Sequence, residues 1–524
     1  MRIERLKPVR VALSLLLFCL TTAAFLDFSG SLAPGFVKPL TYLQFLPSLV
    51  AFIVAPGIIA AGFLIVLAAT ILLGRVYCSS ICPLGTLQDL VIAASRRARR
   101  LRRKRVFFKL TPPHHVIRYG VLLVAAAAPA AGGMILLALL DPFSTFGRIA
   151  ANLGRPAFLA ANNAAAYLLE RLQSYGLNRV QLNPAAYPSV ALAALALAVV
   201  GWLAARHGRL YCNTVCPVGT LLGLVSRFSL FKVRIVADDC INCTLCERVC
   251  KSACIDLIAM AVDMSRCVGC FNCFGACPTG GMAYTWRKEP KGRGRVARVD
   301  GKKRRLLMLG AAALTGWSLG SAQKKPVEGS KPSTVVVRRE VPVAPPGARS
   351  IDRFTAACTA CHMCVSVCPT HVLSPSFLEY GITGILQPRM DYQAGFCNYD
   401  CTLCGDVCPS GAIHPLILPV KKVTQIGTAT FVKENCIVYA ENTDCGACSE
   451  HCPTKAVSMV PYKHLVAPEV KEEFCIGCGA CEHACPTRPY KAIYVEGKRL
   501  HTVAKVREVI TIPPPSPQEP DFPF

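Results

Sequence analysis

The chain is poor in charge, and what it has is lopsided: 17% of its 524 residues are charged, with 31 acidic against 58 basic side chains. Beside 53% hydrophobic residues, so little charge excludes a chain that faces water throughout, because the apolar excess needs another medium. The shortage of acids leaves a formal charge of +27, which would suit nucleic acid; basic loops flanking hydrophobic spans give the same total, and no nucleic-acid partner is expected. No glycine-rich nucleotide loop follows a strand-like run, and no Ser-His-Asp arrangement has supporting context, which argues against substrate chemistry of those kinds. Histidine is missing from every apolar stretch, with His114, His115 and His207 only near stretch ends, so a haem gripped by two histidines inside a bilayer is not supported.

Apolar runs set the organisation. At roughly 150 residues per domain, a chain of 524 makes three or four units. Five stretches stand out: Val11 to Phe28, Leu46 to Leu73, Val116 to Leu140, Ser189 to Ala205 and Leu306 to Gly320. About 20 apolar residues cross hydrocarbon as a helix. The first four are therefore expected to span, making residues 1–234 an α-helical transmembrane four-helix domain. Arg96 to Lys109 holds nine basic residues and no acid, whereas Phe28 to Gln44 has only Lys38, so the basic loop is expected in the cytoplasm. Four spans return the chain to that side near Arg206, which places residues 235–286 inside. Arg287 to Arg305, with ten basic residues and two acids, precedes the fifth stretch, which is expected to carry residues 324–524 outside. Arg304-Arg305-Leu306-Leu307-Met308, followed by Gly320-Ser321-Ala322, resembles a twin-arginine export signal; a plain fifth span and a surface helix are the alternatives. Residues 287–349 form a linker region around this segment, and 508–524 a Pro-rich, extended tail.

Cysteine, by contrast, is plentiful. Thirty cysteines in regular tight groups, in a chain far longer than a disulfide scaffold, favour metal ligation over cross-linking. Cys240, Cys243, Cys246, Cys250 and Cys267, Cys270, Cys273, Cys277 both follow C-x2-C-x2-C-x3-C. A loop of this spacing aims three thiolates at one iron-sulfur cube while the fourth reaches a neighbouring cube. Cys240, Cys243 and Cys246 are thus expected to share a cluster with Cys277, and Cys267, Cys270 and Cys273 with Cys250. Zinc would use separated C-x2-C pairs. Lys251 stands where proline usually follows the fourth ligand, and Cys254 reads as a packed thiol.

Residues 350–507 supply four more quartets: Cys358, Cys361, Cys364, Cys368; Cys397, Cys401, Cys404, Cys408; Cys436, Cys445, Cys448, Cys452; and Cys475, Cys478, Cys481, Cys485. Insertions in the second and third widen only the first gap and leave the C-x2-C-x3-C-P half intact. Adjacent pairing would exchange Cys368 with Cys408 and Cys452 with Cys485; a nested pairing, first with fourth and second with third, is the alternative. Six [4Fe-4S] clusters in α+β ferredoxin-like domains read as one-electron carriers in series.

Gly74 to Leu87 returns 134 residues later as Gly208 to Leu221, giving two C-x3-C-P motifs, Cys78/Cys82 and Cys212/Cys216, where spans emerge on the cytoplasmic side. These four hold a seventh metal centre, or form a thiol pair beside quinone, or are reduced cysteines packed beside proline. Cys19, alone in an apolar run, reads as filler. No internal ladder is evident across a hydrocarbon core of about 30 Å, so a quinone or another subunit is expected to carry electrons over it. Asp141, with Arg148 downstream, is the candidate quinol site and proton acceptor; a helix cap is the other reading of Asp141.

Together these motifs resemble the quinol-dehydrogenase pair associated with periplasmic nitrate reductases, joined in one chain. The spans, the C-x3-C-P motifs and the quartets of Cys240 to Cys277 are similar to the NapH-type membrane ferredoxin. The twin-arginine-like segment, Ala344-Pro345-Pro346-Gly347-Ala348 and four quartets with a long gap from Cys436 to Cys445 are similar to the NapG-type polyferredoxin. The resemblance implies a multi-pass protein of the bacterial inner membrane that oxidises menaquinol or ubiquinol and passes electrons to a periplasmic reductase or c-type cytochrome. Its expected partners are membrane lipid, the quinone pool and those acceptors. An outside-positive potential favours outward electron flow by about 2.3 kcal/mol per 100 mV. A non-catalytic maturation or redox-regulatory donor is the competing reading. A third keeps all six clusters in the cytoplasm, feeding quinone from a soluble donor.

Overall fold

The computed structural model describes residues 6–27, 32, 34–101, 114–131, 133–180, 187–286 and 335–506. The fifth apolar stretch with its twin-arginine-like residues, and the Pro-rich tail, lie outside the described residues.

Among the described residues the apolar first part forms α-helices and no strands, in the order α1 (Leu6–Leu26), α2 (Pro34–Tyr42), α3 (Phe45–Val54), α4 (Gly62–Leu73), α5 (Tyr77–Ser80), α6 (Pro83–Leu101), α7 (His115–Ala127), α8 (Ile135–Leu140), α9 (Pro142–Ile149), α10 (Arg155–Arg171), α11 (Tyr187–His207), α12 (Leu210–Thr214) and α13 (Pro217–Ser226). Two of the four expected spans are single helices of 21 residues, α1 and α11. The other two are broken. The second run divides into α3 and α4 around Pro56-Gly57, and the third into α7 and α8 around Pro129 and Gly133. Proline removes a ladder donor and clashes with the preceding turn, and glycine forfeits about 1 kcal/mol of helix propensity, so an apolar run that contains both does not stay one rod. Among the described residues, two helices are long and apolar enough to cross a membrane, or three if α2 and α3, bent by 99°, count as one span. Among these residues the four expected spans are thus not each matched by one such helix.

In the cysteine-rich parts the described strands form small antiparallel pairs, set among short helices of four to seven residues. Strands β1 (Phe231–Ile235), β2 (Ile255–Asp256), β3 (Ala261–Val262) and β4 (Met282–Trp286) pair as β1 with β4 and β2 with β3. In the last part, β5 (Leu373–Pro375), β6 (Pro388–Met390), β7 (Thr424–Phe431), β8 (Val457–Tyr462), β9 (Leu465–Val470) and β10 (Ile493–Val503) pair as β5 with β6, β7 with β10 and β8 with β9. These ribbons are too small to bury much apolar surface. They brace the loops that present sulfur.

Two cysteine-rich modules sit at opposite ends of α1. At its start Arg10 donates to Ser79 O (2.9 Å) and pairs with Asp89, which also pairs with Lys251 of the 231–286 module. Toward its end Phe25 packs against Phe143 and Phe146, beside Gly147 and the Cys361 carbonyl of the 335–506 module. A single apolar cluster runs from Cys78, Cys82, Cys212 and Cys216 through Phe143 and Phe146 to Cys358, Cys361 and Cys364.

Candidate metal centres

None of the thirty cysteines is joined to another by a disulfide. In the four quartets of regular spacing, the residues two and four places after the first cysteine are left-handed: Asn242 and Thr244, Gly269 and Phe271, Ala360 and His362, Gly477 and Gly479. This alternation turns successive backbone N–H groups toward one centre, a cradle for an anion. Five of the eight are not glycine, and each such residue costs roughly 1 kcal/mol, a strain tolerated where the geometry is functional.

The loops gather their sulfurs in fours. Cys240, Cys243, Cys246 and Cys277 line one small cavity. Cys250, Cys267, Cys270 and Cys273 line a second, and Cys436, Cys445, Cys448 and Cys485 a third. Cys364 lies within electrostatic reach of Cys361, Cys358 and Cys408, and of Cys404 after them; Cys404 of Cys397, Cys368 and Cys401; Cys481 of Cys478, Cys475 and Cys452, and of Cys448 after them. The nested arrangement would instead set Cys368 into the fourth quartet and Cys408 into the third, away from these neighbours. Cys254 also lines the second cavity, its Sγ 3.5 Å from that of Cys250, closer to the centre than a merely packed thiol requires.

The donor set fits iron-sulfur cubes. Among the described residues no three His, Cys, Asp or Glu side chains converge as a single ion would need, with bonds of about 2.3 Å to sulfur. A cube, with one thiolate at each of four irons, calls for such a spread. Backbone N–H groups also donate to the sulfurs: Ile413 to Cys408 (3.4 Å), Ala429 to Cys475 (3.4 Å) and Ala456 to Cys452 (3.2 Å). The quartets do not follow chain order in space. Cys397 N–H donates to Cys478 O (2.9 Å), joining the second quartet to the fourth and leaving the third at the far end.

The two C-x3-C-P motifs fold alike. In each, a short helix carries the first cysteine, and the second stands just before a proline that opens the next helix with its φ already set. Cys216 caps α13 by accepting from Gly219 N–H (3.2 Å). The copies face each other and exchange arginines: Arg75 donates to Cys212 O (3.2 Å), Arg209 to Cys78 O (3.0 Å). Gly85 and Gly219 make room for this, since a Cβ on either would stand 2.3 Å from the Cys78 or Cys212 carbonyl oxygen, respectively. All four thiols are buried, at 3–4% exposure, with Cys78, Cys82 and Cys212 each within electrostatic reach of Cys216. Arg75 also donates to Ser265 O (3.0 Å) and Asn213 Nδ2 to Ser252 O (3.4 Å), in the loops that carry Cys267 and Cys250.

Asp141 and Arg148 are spent on backbone. Asp141, 1% exposed, caps α9 by accepting from Ser144 N–H (2.7 Å). Arg148 donates to Ala138 O (2.7 Å), Leu139 O (3.1 Å) and Ala360 O (3.4 Å), the last in the first outer quartet loop. In that loop His362 accepts from Asn152 at Nδ1 (3.1 Å) and donates from Nε2 to Leu386 O (2.9 Å). Burial, with the Arg148 charge nearby, pushes its pKa down to about 3, so the ring is neutral. Cys19 is exposed on α1. A feature the sequence did not disclose is an open cavity of about 510 Å³ lined by Asp89, Ile92, Ala93, Arg96, Arg97, Lys251 and Asn272, between α6 and the loop of Cys270 and Cys273.

A family described as a 4Fe-4S binding domain matches residues 54–102 and 188–235, and a 4Fe-4S dicluster domain family matches 357–412 and 443–488. The cysteines within the first two stretches are Cys78, Cys82, Cys212 and Cys216. The chain is similar to the methylamine utilization ferredoxin-type protein MauM of Paracoccus denitrificans, 31% identical over 202 residues, covering 36% of this chain and 81% of that protein. It is 30% identical over 168 residues to the ferredoxin-type protein NapG of Escherichia coli, covering 30% of this chain and 66% of NapG. An uncharacterised protein of Methanocaldococcus jannaschii is 36% identical over 94 residues, 18% of this chain and 37% of that protein. The chain spans 37% to 61% of the length of the first three curated relatives it matches.

Proposed function

Because the chain belongs to the family of ferredoxin-type iron-sulfur electron-transfer proteins that includes MauM and NapG, we propose that it is a quinol dehydrogenase of the bacterial inner membrane with six [4Fe-4S] clusters. The helices cross the membrane in several passes. Residues 235–286 lie in the cytoplasm and 324–524 in the periplasm. One observation carries the reading: two cysteine-rich modules are fixed to opposite ends of one apolar helix, with a continuous apolar core between.

Quinol is assigned to the cavity beside Asn272. There Ile92 and Ala93 offer an apolar wall, and Asp89, Lys251 and Asn272 offer polar atoms next to the loop of Cys270 and Cys273. When bound, the clusters accept and release single electrons. The chain's own residues set their spacing, exclude water and offset their negative charge. The reductase or c-type cytochrome that takes electrons docks near Cys436, Cys445, Cys448 and Cys485, the quartet farthest from the helices.

Purified chain in vesicles with menaquinol or ubiquinol and a high-potential acceptor tests this. Steady turnover is expected, with a Lys251→Met variant raising KM for quinol. Cluster reduction without turnover would favour a regulatory or maturation donor instead. Reporter fusions at Lys324 and at the C-terminus, expected to be active outside, would overturn the topology if active inside.

A further inference from the structure

We propose that the loop of residues 376–384 in the outer module is a membrane anchor, with Phe377, Leu378 and Ile382 among the acyl chains of the outer leaflet. This rests on the reading of the helical part as membrane-spanning, and adds a lipid contact made by the cysteine-rich outer module itself.

Exposure is the first argument. Phe377, Leu378 and Ile382 are 53%, 55% and 72% exposed, three large apolar side chains on one short loop. The polar groups of the loop are turned back on the loop itself. One carboxylate oxygen of Glu379 accepts from Phe377 N–H (2.6 Å) and Leu378 N–H (3.0 Å), and the other pairs with Arg389 (2.8 Å). Ser376 Oγ donates to Gly384 O (2.8 Å), Gly381 N–H to Leu378 O (2.8 Å) and Tyr380 OH to Pro388 O (3.2 Å). Backbone groups with internal partners can enter a lipid phase that offers them none. An apolar face dips only about 5–10 Å past the headgroups, which leaves the ion pair of Glu379 with Arg389 at headgroup level.

Depth is the second. The inner module meets α7 near its start, where Arg118 donates to Ser265 O (2.7 Å). The outer module meets the far end of the same rod, where a Cβ on Gly133 would stand 3.9 Å from the Thr383 methyl of the loop. The chain is helical from Arg118 to Ala131, with a tighter last turn over Ala128–Ala131, and at about 1.5 Å per residue this makes about 20 Å. A hydrocarbon core is about 30 Å thick, and tilt only shortens the reach of a helix across it. With the inner module at one face of the bilayer, the loop therefore lies at or below the opposite face. Leu123 and Val124, exposed on α7 between the two contacts, carry the apolar surface toward it. The base of the loop is seated on the helices, with Ile385 and Leu386 packed among Ala138, Leu139 and Leu192. Leu386 O accepts from His362 Nε2 (2.9 Å), so the anchor also holds the first outer quartet at the membrane surface.

The test places the photoreactive residue p-benzoylphenylalanine at Phe377, and separately at Ile382, in the full chain in vesicles of phosphatidylethanolamine and phosphatidylglycerol. Leu123 on α7 and Val466 on β9, beside the third outer quartet, are the reference positions. After illumination, mass spectrometry of the chain should find lipid adducts at Phe377 and Ile382 in a yield close to that at Leu123 and several-fold above that at Val466. Adducts at Leu123, with Phe377 and Ile382 no higher than Val466, would overturn the anchor and leave the spans standing. Cross-links from Phe377 to a second copy of the chain, without lipid, would overturn it in favour of self-association. No lipid adduct at Leu123 would overturn the membrane reading, and the anchor with it. Both loop positions are exposed, so the fold does not depend on them, and if one variant does not accumulate the other decides.

Discussion

Arg75 donates to the carbonyl oxygen of Cys212, 137 residues away in sequence and 3.2 Å away in space. The bond ties the first C-x3-C-P motif to the second, and the same guanidinium also holds Ser265 of the inner cysteine module. An Arg75→Leu substitution takes this donor from Cys212 O and Asn213 Oδ1, while Ser265 O keeps Arg118. Each orphaned buried acceptor costs about 1–3 kcal/mol. The thermal unfolding midpoint should fall by several degrees. An EPR-monitored redox titration should find the cluster of Cys267 and Cys250 harder to reduce, because a neighbouring cation is gone. Arg75→Lys should keep most of the potential while losing stability.

Gly147 decides whether the outer module stays docked. A Cβ there would stand 2.2 Å from the Cys361 carbonyl oxygen and 2.7 Å from the Phe25 ring. Gly147→Ala therefore forces the module off α9 or distorts it, at about 1–3 kcal/mol for such overpacking. An engineered cysteine pair flanking the Arg148–Ala360 contact should cross-link in the wild-type background and several-fold less in the variant. Equal cross-linking would contradict the docking.

The gathering of sulfurs into fours makes a prediction about pairs of substitutions. Cys364 and Cys408 belong to one site, so Cys364→Ser/Cys408→Ser should lose no more iron than either change alone, about four atoms. Cys364 and Cys368 are neighbours in sequence but belong to two sites, so Cys364→Ser/Cys368→Ser should lose about eight. Iron counts in the reverse order would restore a same-loop assignment.

His501 offers a pH test away from any cysteine. Burial holds its pKa down at about 4, against about 6.5 for an exposed imidazole, and neither ring nitrogen has a hydrogen-bond partner. The unfolded chain then binds the proton more readily than the folded one between those values. Stability rises with pH across that window and is fully present above it. The wild type should lose more thermal stability than His501→Leu between pH 7 and pH 5. A constant difference between the two proteins would refute the assignment.

The local features were legible in the sequence and the distant ones were not. C-x2-C-x2-C-x3-C fixes which sulfurs can face one centre because the loop is too short for anything else, so the inner quartets sort in the structure as their spacing suggests. What joins them depends on contacts across more than a hundred residues: the arginine exchange between the repeats, the apposition of Cys397 with Cys478, and the docking of Arg148 on Ala360. Nothing within either partner's own segment announces these. The left-handed positions were half visible, since Gly269, Gly477 and Gly479 hint at them but Asn242, Thr244, Ala360 and His362 do not. The breaks in the second and third apolar runs could have been read from Pro56-Gly57 and Pro129; counting apolar residues overlooked them. Asp141 drew attention as a lone acid in an apolar setting, and the Pro142 that follows it was the sign of a helix start.

The arginine exchange also constrains how the protein is made. When Cys78 leaves the ribosome, the guanidinium and amide that will enclose it, from Arg209 and Asn213, have yet to be synthesised. Until the second repeat is inserted beside the first, the early thiols stand in an unfinished wall. Closure of this region is therefore a late event, after translation of the whole helical domain, and a nascent chain stalled before residue 208 should carry its cysteines open to alkylating reagents.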